Sequence, residues 1–432
     1  MASKLSFGTD GIRGPAGHFP IDAGTAWVIG RVLGRQAPRV LVARDSRSSG
    51  PGLAAAVVSG ARAAGSQAES VGVLPTPALS VLLDAGWGAC GVMITASHNP
   101  PHDNGLKVLG PDGHKLSDEP QQQLQDALNR ALRTAVPTMG EPFEEPRHAE
   151  ALQHYLGVVL DHLPSGRWLE GCRVVLDASH GAGAHSGVAL LEALGADVVP
   201  FACTPDGERI NVGCGAVHPG VLAALVVKHG ADVGVGLDGD ADRGVLVAAS
   251  GTVHDGDALL YLLAQTPAVV GTIMSGGGLE QALSARGIEL VRTPVGDRFV
   301  DAAVHERKLC VGAEPSGHVC LADGLPTADG MLSCLRVLAG GVDLDARLAG
   351  YRPWPRVQQN VAVAHRPPLE SLPELEQACR QAEMALGPGG RTLLRYSGTE
   401  PLLRVLVEGR DEPSVRRAAA TLVGVVRDLI GA

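Results

Sequence analysis

The 432-residue sequence has few aromatic residues, no paired-cysteine motif, no long apolar segment and no surplus of positive charge. Aromatic residues make up 3% of the chain against 57 glycines, which favours many short βα units over a helical bundle or a β-sandwich. A formal charge of −10 disfavours binding along nucleic acid. The eight cysteines include no Cys-x-x-Cys spacing, which argues against a zinc ribbon or a redox pair.

No stretch is apolar enough to span a membrane, and the N-terminal residues run directly into charged, glycine-rich sequence without the pattern of a signal peptide. The sequence therefore predicts a cytoplasmic protein that binds neither membranes nor nucleic acid. It leaves the oligomeric state open, with a homodimer as one option.

A repeated pattern organises most of the chain. The pattern begins at Val40, at Arg173 and at Ala268. Each unit consists of a strand, a small-residue loop, a helix, a glycine and a second strand, and it ends on Thr-Pro. Three such units predict three related α/β domains with mostly parallel strands and right-handed crossovers. The C-terminal tail lacks the pattern and predicts a smaller α+β domain.

Composition indicates where these domains begin and end. The stretch Thr134–His148 is rich in proline and glutamate and is typical of a linker. We expect α/β domains at residues 1–148, 149–252 and 253–356, and the α+β domain at residues 357–432. Four domains agree with about 100–200 residues for each domain of a globular protein.

The loop Ile94–Pro100, ITASHNP, follows the apolar run Cys90–Ile94, which we interpret as the end of a strand. The turn-forming residues after it predict that Ser97 is exposed on a tight loop. A serine hydroxyl is a weak nucleophile without a base, a metal ion or a group already attached to it. His98 is adjacent, but no Gly-x-Ser-x-Gly elbow surrounds the serine, so a serine hydrolase is poorly supported.

The loop Asp238–Arg243, DGDADR, places carboxylates at alternate positions after the strand-like run Val233–Leu237. In an extended loop the three carboxylates point the same way and repel one another unless a cation joins them. An EF-hand is excluded because Arg243 replaces the sixth-position glycine and Ala249 the twelfth-position glutamate. Oxygen-only ligands favour Mg²⁺, with a phosphoryl oxygen completing the shell, whereas the alternative is a solvated acidic turn.

Three further loops carry phosphate- or sugar-binding chemistry, and each could also be an ordinary turn. Phe7–Gly14 is glycine-rich and presents Arg13, whose guanidinium suits a phosphate or carboxylate. Arg395–Pro401 combines hydroxyls, a flexible glycine and positive charge between two predicted strands. Glu314–His318 lies between two strand-like segments, where its Glu and Ser suit sugar hydroxyls or an amino group.

Together these loops resemble the α-D-phosphohexomutase superfamily over essentially the whole chain, and most of all its bacterial phosphoglucosamine mutase branch. The motifs that carry the resemblance are FGTDGIRG, TASHNPPHDNGLK, PDGERINVGCGAVHP, DGDADR, VGDRFV, GAEPSGH and RYSGTEPLLRVLVEG. The resemblance implies a heart-shaped arrangement of three similar mixed or parallel α/β domains and a smaller α+β C-terminal domain around a central cleft.

The resemblance also implies a role for each matching residue. Ser97 would carry a phosphoryl group and, with Asp238, Asp240 and Asp242, would hold one Mg²⁺. The catalytic residues would be Ser97, His98, Lys107, Arg13, Arg243 and His318. Arg13 and Arg243 would contact the transferring phosphate, and Lys107 and His98 would assist proton transfer with His318 facing them. Glu314 and Ser316 would bind sugar hydroxyls, and Arg395, Ser397, Gly398, Thr399 and Arg404 the non-reacting phosphate.

Three positions depart from the pattern of the family. Ala241 replaces a common glycine in the acidic loop, Gly276 stands where related sequences often have asparagine, and Pro315 lies inside the sugar-reading loop. The first two are compatible with the chemistry, whereas Pro315 bears on how Glu314 is positioned.

The implied reaction interconverts glucosamine 6-phosphate and glucosamine 1-phosphate through a phosphoserine enzyme, with glucosamine 1,6-bisphosphate as intermediate and primer. The product would feed UDP-N-acetylglucosamine and hence peptidoglycan precursors. One alternative is a phosphomannomutase/phosphoglucomutase with the same mechanism, although Asn211–His218, NVGCGAVH, resembles the glucosamine branch. Another is a non-catalytic sugar-phosphate-binding protein, but the presence of the serine and of all three aspartates argues against it.

Overall fold

The computed structural model describes six ranges of the chain, which are residues 4–8, 10–134, 145, 147–265, 267–397 and 401–432. The chain divides into two compact units, of which the first comprises Met1–Met274 and Leu290–Leu348 and the second Ser275–Glu289 and Ala349–Ala432.

The first sheet of the first unit lies in the N-terminal part of the chain. Its elements are β1 (Ile12–Pro15), α1 (Ala23–Gln36), β2 (Arg39–Arg44), α2 (Gly50–Ala63), β3 (Gln67–Val73), α3 (Thr76–Asp84), β4 (Cys90–Ile94), β5 (Asp103–Leu109) and α4 (Asp118–Ala131). The strand order is β1-β5-β4-β2-β3, and β2 runs parallel to both β3 and β4 while β5 is antiparallel to β4 and β1. Helices α1 and α2 approach so closely that a Cβ at Gly60 would lie 1.9 Å from the Trp27 carbonyl oxygen.

The second sheet repeats this topology. Its elements are α5 (His148–Asp161), β6 (Arg173–Asp177), α6 (Ala184–Ala193), β7 (Asp197–Phe201), α7 (Pro219–His229), β8 (Val233–Leu237), β9 (Gly244–Ala248) and β10 (Val253–His254). The order is β10-β9-β8-β6-β7, with β6 parallel to β7 and β8, and β9 antiparallel to β8. Strand β8 is buried along its whole length, as its apolar sequence predicts, and leads into the acidic loop.

The third sheet has four strands. The elements of this region are α8 (Gly256–Leu263), β11 (Ala268–Thr272), α9 (Gly277–Ser284), β12 (Glu289–Thr293), α10 (Asp297–Glu306), β13 (Val311–Ala313), β14 (Val319–Leu321), α11 (Gly330–Leu338) and α12 (Leu344–Arg347). The order is β12-β11-β13-β14, with β11 parallel to β13 and β14 antiparallel to β13. Helix α9 belongs to the second compact unit, although it lies between two strands of this sheet in the sequence.

The second unit contains an antiparallel sheet covered by two helices. Its remaining elements are β15 (Arg356–Ala362), α13 (Pro373–Leu386), β16 (Arg391–Tyr396), β17 (Leu402–Glu408) and α14 (Glu412–Ile430). The strand order is β15-β17-β16, and both outer strands are antiparallel to β17. Apolar residues of the helices and strands form one core, which includes Leu375, Leu403 and Leu422.

The predicted fold class is therefore confirmed. The first three sheets contain the strand orders β5-β4-β2-β3, β9-β8-β6-β7 and β14-β13-β11-β12. If the strands of each set are numbered along the chain, all three orders are 4-3-1-2, so the sequence repeat corresponds to a repeat of topology. The boundaries of the four domains and the heart-shaped arrangement stay predictions. Among the residues that the structure describes, no helix combines the length and the apolar composition that a membrane crossing requires.

Candidate active site

Two loops at the carboxyl ends of buried strands form the centre of the site. Ser97 follows β4, and its backbone has the left-handed φ of 52° that a tight turn requires. The Ser97 amide donates to Thr95 Oγ1 at 2.8 Å. The prediction of an exposed Ser97 is wrong, because the side chain is fully buried. The loop after β8 covers it, and a Cβ at Gly239 would lie only 2.6 Å from the Ser97 carbonyl oxygen.

The Ser97 hydroxyl is in direct contact with the acidic loop. Its Oγ donates to Asp238 Oδ2 at 2.7 Å and lies 3.2 Å from Nδ1 of His98. The two loops are 141 residues apart in the sequence, so only the packing of the first two sheets brings them together. A group attached to this oxygen would lie beside the acidic loop.

The three carboxylates of the acidic loop converge on one point. Asp238, Asp240 and Asp242 are all buried, and one oxygen from each lies within 4.8 Å of the others. Burial and the neighbouring charges of Asp242 and Asp240 raise the pKa of Asp238 to about 8. Among the described residues, Oδ1 of Asp240 and Oδ1 of Asp242 are buried without a hydrogen-bond partner. Three buried carboxylates so close together are stable only when a cation balances their negative charge.

Lys107 supplies part of that balance from β5. Its ammonium group lies 2.7 Å from Asp240 Oδ2 and 3.0 Å from Asp242 Oδ2, and the side chain is 2% exposed. Burial alone would lower the pKa of Lys107, but Asp10, Asp240 and Asp242 together hold it well above the usual value. Lys107 is therefore a fixed positive charge.

The acidic loop also fits a divalent cation. Its donors are oxygens only, and the unpartnered Oδ1 of Asp240 points to an ion that Lys107 does not replace. Hard oxygen ligands and partial shells of this kind suit Mg²⁺. Asp238, Asp240 and Asp242 would hold the ion, and an oxygen on Ser97 would complete the set.

Arg243 and His98 meet beside the serine. The Arg243 guanidinium lies 3.0 Å from Nδ1 of His98, and its backbone amide donates to Asp238 Oδ1 at 3.2 Å. Burial, followed by the charges of Arg243 and Arg13, lowers the pKa of His98 to about 4. His98 is therefore neutral at physiological pH, with Nδ1 as an acceptor.

We expect the His98 ring of the unphosphorylated protein to remain neutral above about pH 5, because its pKa lies near 4 in place of 6.5. Histidine ¹⁵N NMR between pH 4 and pH 8, assigned with the His98→Gln variant, measures this directly. A His98 midpoint near 6.5 would contradict the half-buried, cation-flanked geometry.

The third sheet contributes His318 and the loop before it. His318 lies between Asp242 and Asp297, with Nδ1 3.8 Å from Asp242 Oδ1 and Nε2 3.4 Å from Asp297 Oδ2. Glu314 Oε1 accepts a hydrogen bond from the Gly296 amide at 2.9 Å, so the loop with Pro315 still holds the glutamate in a defined position.

That loop rests against the start of α8. A Cβ at Gly256 would lie 1.9 Å from the Glu314 carbonyl oxygen, so only glycine fits there. The Ser316 hydroxyl lies 3.4 Å from Glu314 Oε2. Both side chains predicted to bind the sugar therefore lie in one short loop next to His318.

The N-terminal loop brings Arg13 to the same site. Arg13 pairs with Asp10, and Asp10 in turn lies 3.2 Å from the Lys107 ammonium group. Burial favours the neutral acid, but Lys107, Lys115 and Arg13 hold the pKa of Asp10 well below its usual value. Of the predicted site residues, the first unit thus brings together Arg13, Ser97, His98, Lys107, Asp238, Asp240, Asp242, Arg243, Glu314, Ser316 and His318.

The second unit carries the other predicted loop by itself. Arg395 and Arg404 are cross-strand partners on β16 and β17, and the Ser397 amide donates to the Leu402 carbonyl at 2.8 Å. Residues directly opposite one another in an antiparallel pair project from the same face of the sheet, so the two arginines lie on one face. Gly398 and Thr399 lie outside the described residues.

A buried arginine that the sequence analysis missed holds the serine loop in place. Arg47 is fully buried and pairs with Asp45 at 2.9 Å, and Asp45 also accepts from Thr95 Oγ1 at 2.7 Å. The Arg47 guanidinium donates to the backbone carbonyls of Ser97, Asn99, Pro100 and Asp103. The only local sequence signal for this cluster was an aspartate followed two residues later by an arginine, directly after β2.

We expect Arg47→Met to lower the free energy of unfolding by about 3–5 kcal/mol, because it leaves the Asp45 charge buried and several carbonyls unsatisfied. Denaturant unfolding followed by fluorescence measures the change. Arg62→Met is the matched control, since Arg62 is exposed and donates to the Ala68 carbonyl at 3.0 Å, and it should cost less than about 1 kcal/mol. Equal effects of the two variants would refute the structural role of Arg47.

Two further contacts link the first two sheets at the site. The Asn211 side-chain amide donates to the Ser97 carbonyl at 2.8 Å. The Thr76 hydroxyl donates to Asp240 Oδ2 at 2.6 Å, so the first Thr-Pro of the repeat contacts the acidic loop. No sequence signal predicted either contact, because each joins residues more than a hundred positions apart.

Four family models match the chain, all of the phosphoglucomutase/phosphomannomutase family. The alpha/beta/alpha domains I, II and III match residues 4–134, 148–251 and 255–343, and the C-terminal domain matches residues 359–425. These ranges follow the four sheets of the structure.

Known proteins are similar over the full length. A phosphoglucosamine mutase of Solibacter usitatus is 40% identical, with 100% of both chains covered. Among solved structures, a phosphoglucomutase/phosphomannomutase family protein from Burkholderia thailandensis has a TM-score of 0.76 at 24% identity, with 97% of each chain covered. An Aspergillus fumigatus N-acetylphosphoglucosamine mutase in complex with GlcNAc-6P and magnesium has a TM-score of 0.63 at 18% identity, covering 99% of this chain and 96% of the other. The two structures show a shared fold.

Proposed function

The chain belongs to the phosphoglucomutase/phosphomannomutase family, within the α-D-phosphohexomutase superfamily, and we propose that it interconverts glucosamine 6-phosphate and glucosamine 1-phosphate. Its full-length relatives of about 40% identity are phosphoglucosamine mutases, as in Solibacter usitatus and Rhodospirillum rubrum. The observation that carries the proposal is the contact between the Ser97 hydroxyl and the convergent carboxylates of the acidic loop.

Ser97 is the residue that gives and takes the phosphoryl group. The O1 hydroxyl of glucosamine 6-phosphate attacks the phosphorus of phosphorylated Ser97, the P–Oγ bond breaks, and glucosamine 1,6-bisphosphate forms. The bisphosphate then reverses its orientation, Ser97 Oγ attacks the phosphorus at O6, and glucosamine 1-phosphate leaves. The bisphosphate also serves as the primer that first phosphorylates the serine.

Charge neutralisation and positioning supply most of the rate of such a transfer. Arg243 lies beside the serine loop, and Lys107 and His318 flank the acidic loop. Their positive charges stabilise the transferring group, and Arg13 adds a further guanidinium from the N-terminal loop. Burial alone would lower the pKa of His318, but Asp242 and Asp297 hold it well above the usual value. Mg²⁺, when bound by Asp238, Asp240 and Asp242 with the phosphoserine, withdraws charge from the phosphoryl oxygens.

Proton transfer at the sugar hydroxyl needs a group that exchanges a proton near the serine. Nδ1 of the neutral His98 ring lies 3.2 Å from Ser97 Oγ, so it accepts the proton once Arg243, which lies 3.0 Å from the same nitrogen, turns to the phosphoryl group. Lys107 keeps its positive charge throughout. We assign proton exchange to His98, with His318 on the facing side of the acidic loop.

Substrate binding is divided between two loops. Glu314 and Ser316 bind sugar hydroxyls or the amino group in the first unit. In the second unit Arg395, Ser397, Gly398, Thr399 and Arg404 hold the phosphate that does not react, whichever end of the bisphosphate that is. We infer a small-molecule phosphosugar partner and a cytoplasmic location, where amino-sugar precursors are made.

A comparison of kcat/KM for glucosamine, glucose and mannose phosphates tests the proposal. We expect a preference for the amino sugar of about 10- to 100-fold, which is the worth of one charge-assisted hydrogen bond to the ammonium group. A preference for a neutral sugar phosphate would favour the phosphomannomutase/phosphoglucomutase alternative. The absence of turnover with every phosphosugar, despite tight binding, would instead favour a non-catalytic binding protein.

A further inference from the structure

Six charged side chains of the first unit form a closed ring in which acids and bases alternate. In order around the ring they are Asp242, Lys107, Asp10, Lys115, Asp297 and His318, and we call this set the charge ring. Neighbouring charges lie 3.0 Å apart for Asp242 and Lys107, and 3.2 Å apart for Lys107 and Asp10. Every contact is within ion-pair distance.

Half of the charge ring belongs to the proposed machinery and half does not. Asp242 is part of the acidic loop and Lys107 and His318 contact it, whereas Asp10, Lys115 and Asp297 make no contact with Ser97 in the structure described. Lys115 closes the outer half: its ammonium group lies 2.5 Å from Asp10 Oδ1 and also pairs with Asp297. Asp10 continues to Lys107, and Asp297 continues to His318 at 3.4 Å.

We propose that Lys115 is a positioning residue, which acts through Asp10 on Lys107 and through Asp297 on His318. The inference rests on the proposed mutase function, because Lys107 and His318 are the groups whose placement matters for phosphoryl transfer. Lys115 holds the carboxylates of Asp10 and Asp297 in place. Asp10 can then contact Lys107, and Asp297 can contact His318.

The physical argument is one of charge balance in a poorly hydrated place. The side chains of Lys115, Asp10 and Asp297 are 17%, 20% and 12% exposed, so water screens them only in part. Two carboxylates that share one ammonium group repel each other once that group is removed. The surplus negative charge would then draw Lys107 towards Asp10 and away from Asp240 and Asp242.

A direct contact with substrate is the competing explanation. Lys115 lines a cavity of about 260 Å³ together with Asp297 and His318, so its ammonium group is accessible to a ligand. A lysine that binds substrate lowers KM, whereas a lysine that positions other residues changes kcat and leaves KM nearly constant. The two roles therefore separate in steady-state kinetics.

The experiment measures kcat and KM for glucosamine 6-phosphate in Lys115→Met, Asp297→Asn, the double variant and Lys115→Arg. We expect Lys115→Met to lower kcat by about 10- to 100-fold, as for other groups that orient a metal or catalytic residue, with KM changed less than about threefold. The double variant should be more active than Lys115→Met, because Asp297→Asn removes the uncompensated charge. Lys115→Arg should recover most of the activity, and Lys228→Met, on the exposed end of α7, should behave as wild type.

The proposal would be overturned if the loss of kcat in the double variant equalled the product of the losses in Lys115→Met and Asp297→Asn. An increased KM at constant kcat in Lys115→Met would also overturn it. A second readout does not need turnover: Lys115→Met should move the ¹⁵N signals of the His318 ring, while Lys228→Met should leave them in place. If the wild type has no mutase activity, the proposed function fails, but the NMR result still tests whether Lys115 positions His318. Unchanged His318 signals in Lys115→Met would refute the inference in either case.

Discussion

Replacement of Ser97 by alanine is expected to lower mutase turnover by at least about 10⁴-fold, the scale on which removal of a nucleophile acts. The loss follows because, among the residues that the structure describes, no other hydroxyl contacts Asp238, to which Ser97 Oγ donates at 2.7 Å. Stability should hardly change, since only one buried hydrogen bond is lost, worth about 1 kcal/mol. A coupled assay for glucosamine 1-phosphate measures turnover, and intact-mass analysis after incubation with a sugar bisphosphate measures the attached phosphoryl group.

Ser179→Ala is the matched control for this variant. Ser179 is also buried with a left-handed φ, of 53°, and follows a strand in the second sheet, but its hydroxyl donates to the Ala178 carbonyl. It should remain active and accept one phosphoryl group. Phosphorylation of the Ser97→Ala variant, or full turnover by it, would show that another residue carries the transferred group.

Asp240→Asn is expected to lower turnover by at least about 100-fold and to raise the Mg²⁺ concentration that half-maximal activity requires. The substitution keeps an oxygen that accepts from Thr76 and removes one of three convergent charges. The melting temperature in chelator should change little, because the relief of repulsion among buried carboxylates offsets the weaker contact with Lys107, which keeps Asp10 and Asp242 as partners. Activity assays across a Mg²⁺ titration and thermal unfolding in chelator provide both measurements.

Asp232→Asn is the control at the opposite end of the same strand. Asp232 is exposed before β8 and accepts from the Arg173 amide at 2.7 Å, so its loss should not alter the Mg²⁺ response. Wild-type activity should disappear in chelator and return with Mg²⁺. Turnover of the wild type that persists in chelator would refute the role of the acidic loop.

The fold class and the centre of the site could be predicted from the sequence because their signals are local. Apolar runs separated by glycine and Thr-Pro correspond to the repeated sheets, and alternate aspartates in one loop necessarily lie together. The burial of Ser97 could not be predicted, since it depends on how Gly239 and Asn211 of the second sheet cover the serine loop. The same holds for Lys115 and Asp297, which pair across 182 residues.

Ala241 shows how a departure from the family pattern becomes intelligible in the structure. Its φ of 57° lies in the left-handed region, where glycine is favoured and alanine costs about 1–2 kcal/mol. The alanine is buried, and its amide donates to the Asp238 carbonyl at 3.1 Å. The surroundings therefore impose the turn that brings three carboxylates together, whichever residue stands there.

Helix α9 is encoded between two strands of the third sheet, yet it packs with the C-terminal unit. The Gly277 amide donates to the buried Glu408 at 3.1 Å, and a Cβ at Gly277 would lie 2.7 Å from the Trp354 ring. A gene shortened before β15 would leave this helix without its packing partner. The last fifth of the protein is therefore not an independent module. We expect that exchanging or omitting it also requires a redesign of this helix, some seventy residues upstream.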